Sequence, residues 1–574
     1  MQTLPFVASP ETRPNPWLGM ELGAYLDFLT RVLSYGMDPA GAVPAAAAGA
    51  AAAALEACLS DGGRFGGNAV AARDALVAGG MLGELSRALS EAEAAAEASN
   101  AGGGNSESGG GSLALVAGEA ARAFAAMALV GVPSASIAAA LCLHGPAAVS
   151  GLVRVMRSTR SSGAARLGAM STVAAATCVS PATAAAALHA GAVPALRAAL
   201  ADDASAPAHA AAALAALIPL VTAAAAAGTS NSGGPVVPAV MLVEQGLVSA
   251  TAAALDPARP GTAAAKAGDL AGYGQLDTGG TNGGRQSGAA VAQRAAQLLH
   301  LPFSHPLPPV GTPAAAAAEA SLQRYQETLL SEAIVVSLVQ ALDGLTAEQL
   351  VAPMGLLSQL VLRSPAYAQQ FLEAGGLDEA LTRRLLAPDN PPPVLVDALL
   401  AVSQLARISA RHYSAIARAN LCDPIGRLLS HEDPGVRARS CNLLGNMCRH
   451  SGYFYEAFVT HGTLDALIER CADTDRTTRK FACFAIGNAG FHSDVLYRQL
   501  RSAIPPLVAL LADEEDKTRA NAAAALGNLV RNSAALCGDL VNAKALEALM
   551  ELATSPTAVA EADGGASPRA RIRA

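Results

Sequence analysis

The stretch CNLLGNMCRH, residues 441–450, places Leu443, Leu444 and Met447 at helical spacing. Gly445 and Asn446 interrupt it. A glycine inside a helix costs about 1 kcal/mol relative to alanine, and asparagine competes for backbone hydrogen bonds in caps and turns. The interruption recurs. Gly487 and Asn488 follow 42 residues later in FAIGNAGFH, and Gly527 and Asn528 another 40 residues on in AALGNLVRN. An arginine lies eight residues before each glycine, at Arg437, Arg479 and Arg519, and an acid four residues before each arginine, at Asp433, Asp475 and Glu515. A fixed period of this length predicts helical units that bury their apolar faces on one another, an all-α solenoid in the size range of armadillo and HEAT repeats.

A second signal runs further upstream. A glycine or small turn followed by leucines at helical spacing occurs at VAGGMLGELSRAL, HGPAAVSGLVRVM, HAGAVPALRAAL, EQGLVSATAAAL, SEAIVVSLVQAL and EAGGLDEALTRRLL. It returns at NLCDPIGRLL, THGTLDALIERC, RSAIPPLVALL and NAKALEALMELA. We read these as the turns that follow each repeat's long last helix. The expected organisation is degenerate helical repeats over 1–96, a Gly/Ser linker at 97–112, and armadillo-like repeats over 113–255. A mostly disordered insertion at 256–318, interrupted by a helix around VAQRAAQLLHL, precedes C-terminal repeats over 319–553 that are most regular from 419, and a loose tail closes the chain at 554–574.

The glycines fit close approach of a neighbouring helix, which offsets their propensity cost. Asn446, Asn488 and Asn528 would then stack toward a groove, one per repeat, able to hydrogen-bond an extended peptide backbone; Asn442 and Phe484 would lie beside them. The alternative is that each asparagine satisfies a carbonyl of the neighbouring repeat. The arginines read as structural, each near a helix start with an acid one turn before it.

Composition narrows the rest. The net charge of −8 carries no global basic field for nucleic acid. The nine cysteines show no C-x-x-C spacing and the N-terminus lacks a signal-peptide pattern, so reduced cytosolic thiols are expected. Cys441, Cys448, His450 and His461 do not space as a zinc site, and neither metal nor cofactor is expected. Residues 210–228 hold no charge, but alanine is weakly apolar and Pro219 reads as the break in a helix pair, so no membrane contact is expected. The aromatic cluster at Tyr453, Phe454, Tyr455 and Phe458 reads first as packing and second as a partner patch.

The segments LLGNMCRHSGYFYEAF, RCADTDRTTRKFACFAIGNAGFHSDVLY and EEDKTRANAAAALGNLVRN resemble the C-terminal armadillo repeats of Fused-type serine/threonine kinases, most closely the plant members; MGLLSQLVLRSPAYAQQFL at 354–372 also fits. The resemblance covers roughly the last 220 residues, and the alanine and glycine content is similar to that of a green-algal member. No Gly-rich phosphate loop, VAIK lysine, HRD or DFG motif is present, so the family's phosphotransfer residues have no positions here. The resemblance implies a non-catalytic, cytoplasmic interaction scaffold in microtubule-based processes, at the phragmoplast or the cilium, with kinesins or other microtubule-associated proteins as partners. Two alternatives stay open. One is an independent armadillo adaptor or importin-like cargo receptor, although positions 442, 484 and 524 hold Asn, Phe and Ala where importins carry tryptophans and the one tryptophan is Trp17. The other is a kinase whose catalytic domain lies upstream.

Overall fold

The computed structural model describes residues 80–101, 117–125, 127–128, 132–143, 146–159, 161–202, 207–228, 237–255 and 283–554. The repeats expected before residue 80, most of the Gly/Ser linker, residues 256–282 and the tail lie outside them. The described residues are helical, with no strand among them. They divide into two compact units, 1–328 and 329–574.

In the first unit small residues set the packing distance. A Cβ on Gly168 would lie 3.0 Å from the Ala121 carbonyl oxygen, and one on Gly151 would lie 2.9 Å from that of Leu89. Helices Met81–Ala101 and Ala147–Arg157 are tied by a two-pronged ion pair, Arg154 Nε and Nη2 each donating at 2.7 Å to the buried Glu93 carboxylate. Three expectations need correction here. The segment around Pro219 is one helix, Pro207–Gly228, rather than a broken pair. It packs against helices Gly163–Thr177, Ala192–Ala201 and Gly283–Ser304, burying Leu214, Leu217, Leu220 and Val221; by length and composition alone it is apolar enough to cross a membrane. The helix expected around VAQRAAQLLHL is present but longer, Gly283–Ser304, with Val291, Ala295, Leu298 and Leu299 giving it a buried apolar face, and helix Pro313–Ser331 begins inside the stretch expected to be mostly disordered. The linker expected from residue 97 begins later, since the first described helix runs to Ala101.

The second unit is built from three-helix repeats, two short helices followed by a long one. In one repeat they are Tyr455–Thr460, Thr463–Glu469 and Arg476–Ala489. The long third helices are α1 (Val351–Arg363), α2 (Pro392–Ile408), α3 (Pro434–Met447), α4 (Arg476–Ala489) and α5 (Asp516–Asn528), each packed on the next. Leu443, Leu444 and Met447 of α3 are buried, and each such side chain contributes about 1.5–3 kcal/mol. The turn signals in the sequence mark a different place from the one expected. They join the first and second helices within a repeat. There the chain passes through the left-handed region at Ala333, Gly375, Asn420, Gly462 and Lys544. Glycine takes that conformation without the cost a Cβ imposes.

Candidate interaction face

The recurring residues converge on the seams between third helices. Asp433 and Asp475 cap α3 and α4, accepting hydrogen bonds from the Val436 and Thr478 amides at 3.0 and 2.7 Å. The arginines do not pair with these caps. Arg437 donates through Nε and Nη2, both at 2.8 Å, to the carboxylate of Asp473 in the next repeat. Its Nη1 holds the His431 and Glu432 carbonyls at 2.9 Å. Arg479 repeats the arrangement, with Asp513 at 2.7 Å and the Asp473 and Thr474 carbonyls at 3.0 and 3.2 Å. Burial would raise the Asp473 carboxyl, but the hydrogen bonds from Arg437 and the Asp475 amide outweigh it and hold the group below its ordinary range. Arg519, in the last long helix, pairs with Asp516 of its own helix instead.

Each glycine is explained by what lies against it. A Cβ on Gly445 would fall 2.5 Å from the Phe484 ring and 3.1 Å from the Ala485 backbone, and one on Gly487 would fall 3.3 Å from the Ala525 backbone. Phe484 therefore lies over the preceding helix as well as beside the exposed face. A Cβ on Gly527 would meet no described atom within 4 Å beyond its chain neighbours and its own helix backbone.

The asparagines use their amide hydrogens between repeats. Asn488 Nδ2 donates at 2.8 Å to the Gly445 carbonyl, and Asn528 Nδ2 donates at 2.9 Å to that of Gly487. Both carbonyls sit in the last turn of a helix, where the ladder runs out: the Arg449 and Phe491 amides donate to Asn446 and Asn488 instead. Asn446, buried, donates at 2.8 Å to the Ser403 hydroxyl, which donates at 3.0 Å to Asn442 Oδ1. The amide hydrogens expected to face a ligand thus satisfy the neighbouring helix, and the carbonyls involved belong to helix ends. Asn488 and Asn528 remain half-buried, and no described residue donates to their Oδ1 atoms.

Two further ladders escaped the sequence reading. Tyr413, Tyr455 and Tyr497, spaced 42 residues apart, donate their hydroxyls to the carbonyls of Asn446, Asn488 and Asn528 at 2.9, 3.4 and 2.7 Å. His450, His492 and Asn532, each four residues after a repeat asparagine, reach back to the preceding repeat: His450 to the Arg407 carbonyl, His492 to those of Cys448 and Arg449, Asn532 to those of Gly490 and Phe491. The signal was present as the recurring Ser-x3-Tyr at 409–413, 451–455 and 493–497. Of the aromatic cluster, Phe454, Tyr455 and Phe458 are buried and Tyr453 is exposed. His461 pairs with Asp423 at 2.6 Å. Cys441 and Cys448 are buried, and burial pushes both thiols up.

The line left to solvent along the third helices varies from repeat to repeat. One row runs Asp397, Arg439, Phe481 and Asn521; another, at or just past the helix ends, runs Arg407, Arg449, Phe491 and Arg531. Arg531 stacks over Phe491 with its guanidinium 4.2 Å from the ring centre, and Arg439 lies 5.8 Å from that of Phe481.

Residues 464–563 match the HEAT repeats family. A 237-residue stretch is 43% identical to "Serine/threonine-protein kinase TIO" of Arabidopsis thaliana, covering 41% of this chain and 18% of that protein. A 233-residue stretch is 31% identical to "Serine/threonine-protein kinase 36" of Mus musculus, covering 39% of this chain and 18% of that one. The chain is a helical-repeat region related to the Fused-type serine/threonine kinases. It spans under a fifth of the length of these relatives, and the match to them carries no kinase domain. Among solved structures, an engineered protein superposes with a TM-score of 0.53 at 18% identity, covering 86% of this chain and 96% of its own; that likeness concerns the fold alone.

Proposed function

We propose that the chain is an interaction scaffold whose partner lies along the exposed line of α2–α5, and that it performs no phosphotransfer itself. The observation that carries this reading is a half-buried arginine, Arg439, held on that line without a hydrogen-bond or ion-pair partner among the described residues. An ion pair inside the fold would have satisfied it, as Asp473 satisfies Arg437. The relatedness to Fused-type kinases supports placing the scaffold in microtubule-based work, at a phragmoplast or cilium, in a cytoplasmic and cytoskeleton-associated pool, with a kinesin as the partner class. The test is co-precipitation of the full chain with kinesins from dividing or ciliated cells, beside a form carrying Arg439→Gln and Phe491→Ala. Loss of the kinesin from the variant, with an unchanged melting curve, is the expected result. Equal capture by both forms would remove the face from the reading, and no kinesin in either would remove the cytoskeletal role. Incubation with labelled ATP and a generic substrate should leave no phosphate incorporated; incorporation that survives repurification would overturn the non-catalytic part.

A further inference from the structure

We infer that the exposed line of the third helices is a docking site for an extended acidic peptide, with glutamate or aspartate side chains meeting Arg439, Arg449 and Arg531. The inference rests on the reading of this face as the partner surface and adds its chemistry.

Charge is the first argument. The chain as a whole carries −8, yet the two rows of this line carry Arg407, Arg439, Arg449 and Arg531 against a single acid, Asp397. Lys480, beside the Phe481 ring, is already neutralised by Glu515 at 2.9 Å. Arg407, Arg439, Arg449 and Arg531 make no ion pair among the described residues, so this line keeps a positive excess.

Arg439 is the second argument. Burial disfavours its charged form and pushes its pKa down, with the nearby Asp397 offsetting part of this. Arginine stays protonated in proteins, so the folded chain holds a half-buried cation whose donors meet solvent rather than a described acceptor. A carboxylate arriving there gains a charge-assisted, two-pronged bond, and the part of the arginine already buried is not desolvated again. The Phe481 ring lies 5.8 Å from the Arg439 guanidinium. At the other edge Phe491 lies 4.2 Å from that of Arg531.

Geometry makes the ligand extended. Neighbouring helix axes lie about 8–10 Å apart, the length of about three residues of extended chain. The free Oδ1 atoms of Asn488 and Asn528 offer acceptors for the peptide's N–H groups at that repeat. Basic peptides would meet Arg439, Arg449 and Arg531 with like charge.

The test uses the full chain and three fluorescent peptides of about twelve residues, with Glu, Gln or Lys at every third position and otherwise identical, titrated by anisotropy at low and high salt. The Glu peptide should bind most tightly, the Lys peptide least, and the Glu affinity should fall as salt rises. Arg439→Gln should weaken the Glu peptide about tenfold or more. Arg449→Gln and Arg531→Gln, at exposed positions, should each weaken it about threefold. These two carry the test if Arg439→Gln fails to fold. Equal binding of the Gln peptide, tighter binding of the Lys peptide, or Glu binding unmoved by all three variants would overturn the acidic specificity while leaving the face as a peptide site. Failure of all three peptides to bind would overturn the face itself.

Discussion

Replacing Asn446, Asn488 and Asn528 by alanine tests whether the repeat asparagines hold the seams or serve a ligand. Alanine is the better helix former by up to about 0.7 kcal/mol per site, so asparagines facing only solvent or ligand would make the triple variant melt no lower than the parent. The structure leads to the other outcome. Three hydrogen bonds of 2.8, 2.8 and 2.9 Å are lost, each worth about 0.5–1.5 kcal/mol net. The Gly445 and Gly487 carbonyls, at helix ends with no backbone donor, are left unpaired at about 1–3 kcal/mol each where water does not reach them. Counting each bond once, with the two carbonyls at their unpaired cost, and subtracting the alanine gain leaves a net loss of about 0.5–5 kcal/mol. For a unit of this size that is a drop of about 1–20 °C in melting temperature. Arrays unfold repeat by repeat, so the sharper assay is amide hydrogen exchange. Amides at 441–450 and 483–492 should exchange faster in the variant, while those of the first unit stay unchanged. A triple variant with the parent's melt and the parent's protection at these turns would refute the seam argument.

Gly445→Leu and Gly487→Leu should each destabilise the second unit by about 1–3 kcal/mol through overpacking, while Gly527→Leu should be tolerated; urea midpoints for the three variants check this. Breaking the Arg437–Asp473 clamp from either side should cost about 3 kcal/mol or more, and a double-mutant cycle should show the two sites coupled, because Arg437 is only slightly exposed and Asp473 almost fully buried. His209, buried with Nε2 at 2.8 Å from the Gly163 carbonyl, has its pKa lowered chiefly by burial. The unfolded chain therefore binds a proton near 6.5 that the folded chain refuses, so stability present above that pH should fall as the solution is acidified through it. Thermal melts of the first unit at pH 7.5 and 5.5 should show the loss, and His209→Gln should reduce it.

The solenoid was legible because its residues answer a demand that every repeat makes. Gly445 and Gly487 recur because one helix must come close to the next, and Arg437 and Arg479 because the loop before each third helix has carbonyls to hold. Their partners were not legible. The acid four residues before each arginine was the natural candidate within one helix, but the side chain crosses to the next repeat, and Asp473 and Asp513 stand two residues before the next cap. Separation along the chain hides such a contact where local periodicity reveals a helix face. The tyrosine ladder was hidden for a related reason. Tyr455 sits inside an aromatic cluster whose density suggested a patch, and only its spacing from Tyr413 and Tyr497 separates it from Phe454.

The same reasoning explains why repetition is a poor guide to the ligand. A residue present in every repeat satisfies what all repeats share, which is their junction with the next. A partner meets each repeat at a different point of its own sequence, so the side chains that read it are free to differ. Along the exposed line they do: Asp397, Arg439, Phe481 and Asn521 occupy one row, while beside them Gln404, Asn446, Asn488 and Asn528 all carry side-chain amides. The constant row makes the inter-repeat bonds, and Gln404 joins it by donating to the Leu362 carbonyl at 3.4 Å. The variable row carries a cation, Arg439, with no hydrogen-bond or ion-pair partner among the described residues. Exchanging Arg439 or Phe481 of the variable row should therefore alter partner choice at little cost in stability, whereas exchanging Asp397 or Asn521, bonded to Ser358 and to the Lys480 carbonyl of the preceding repeat, or any residue of the constant row should cost stability whatever the partner.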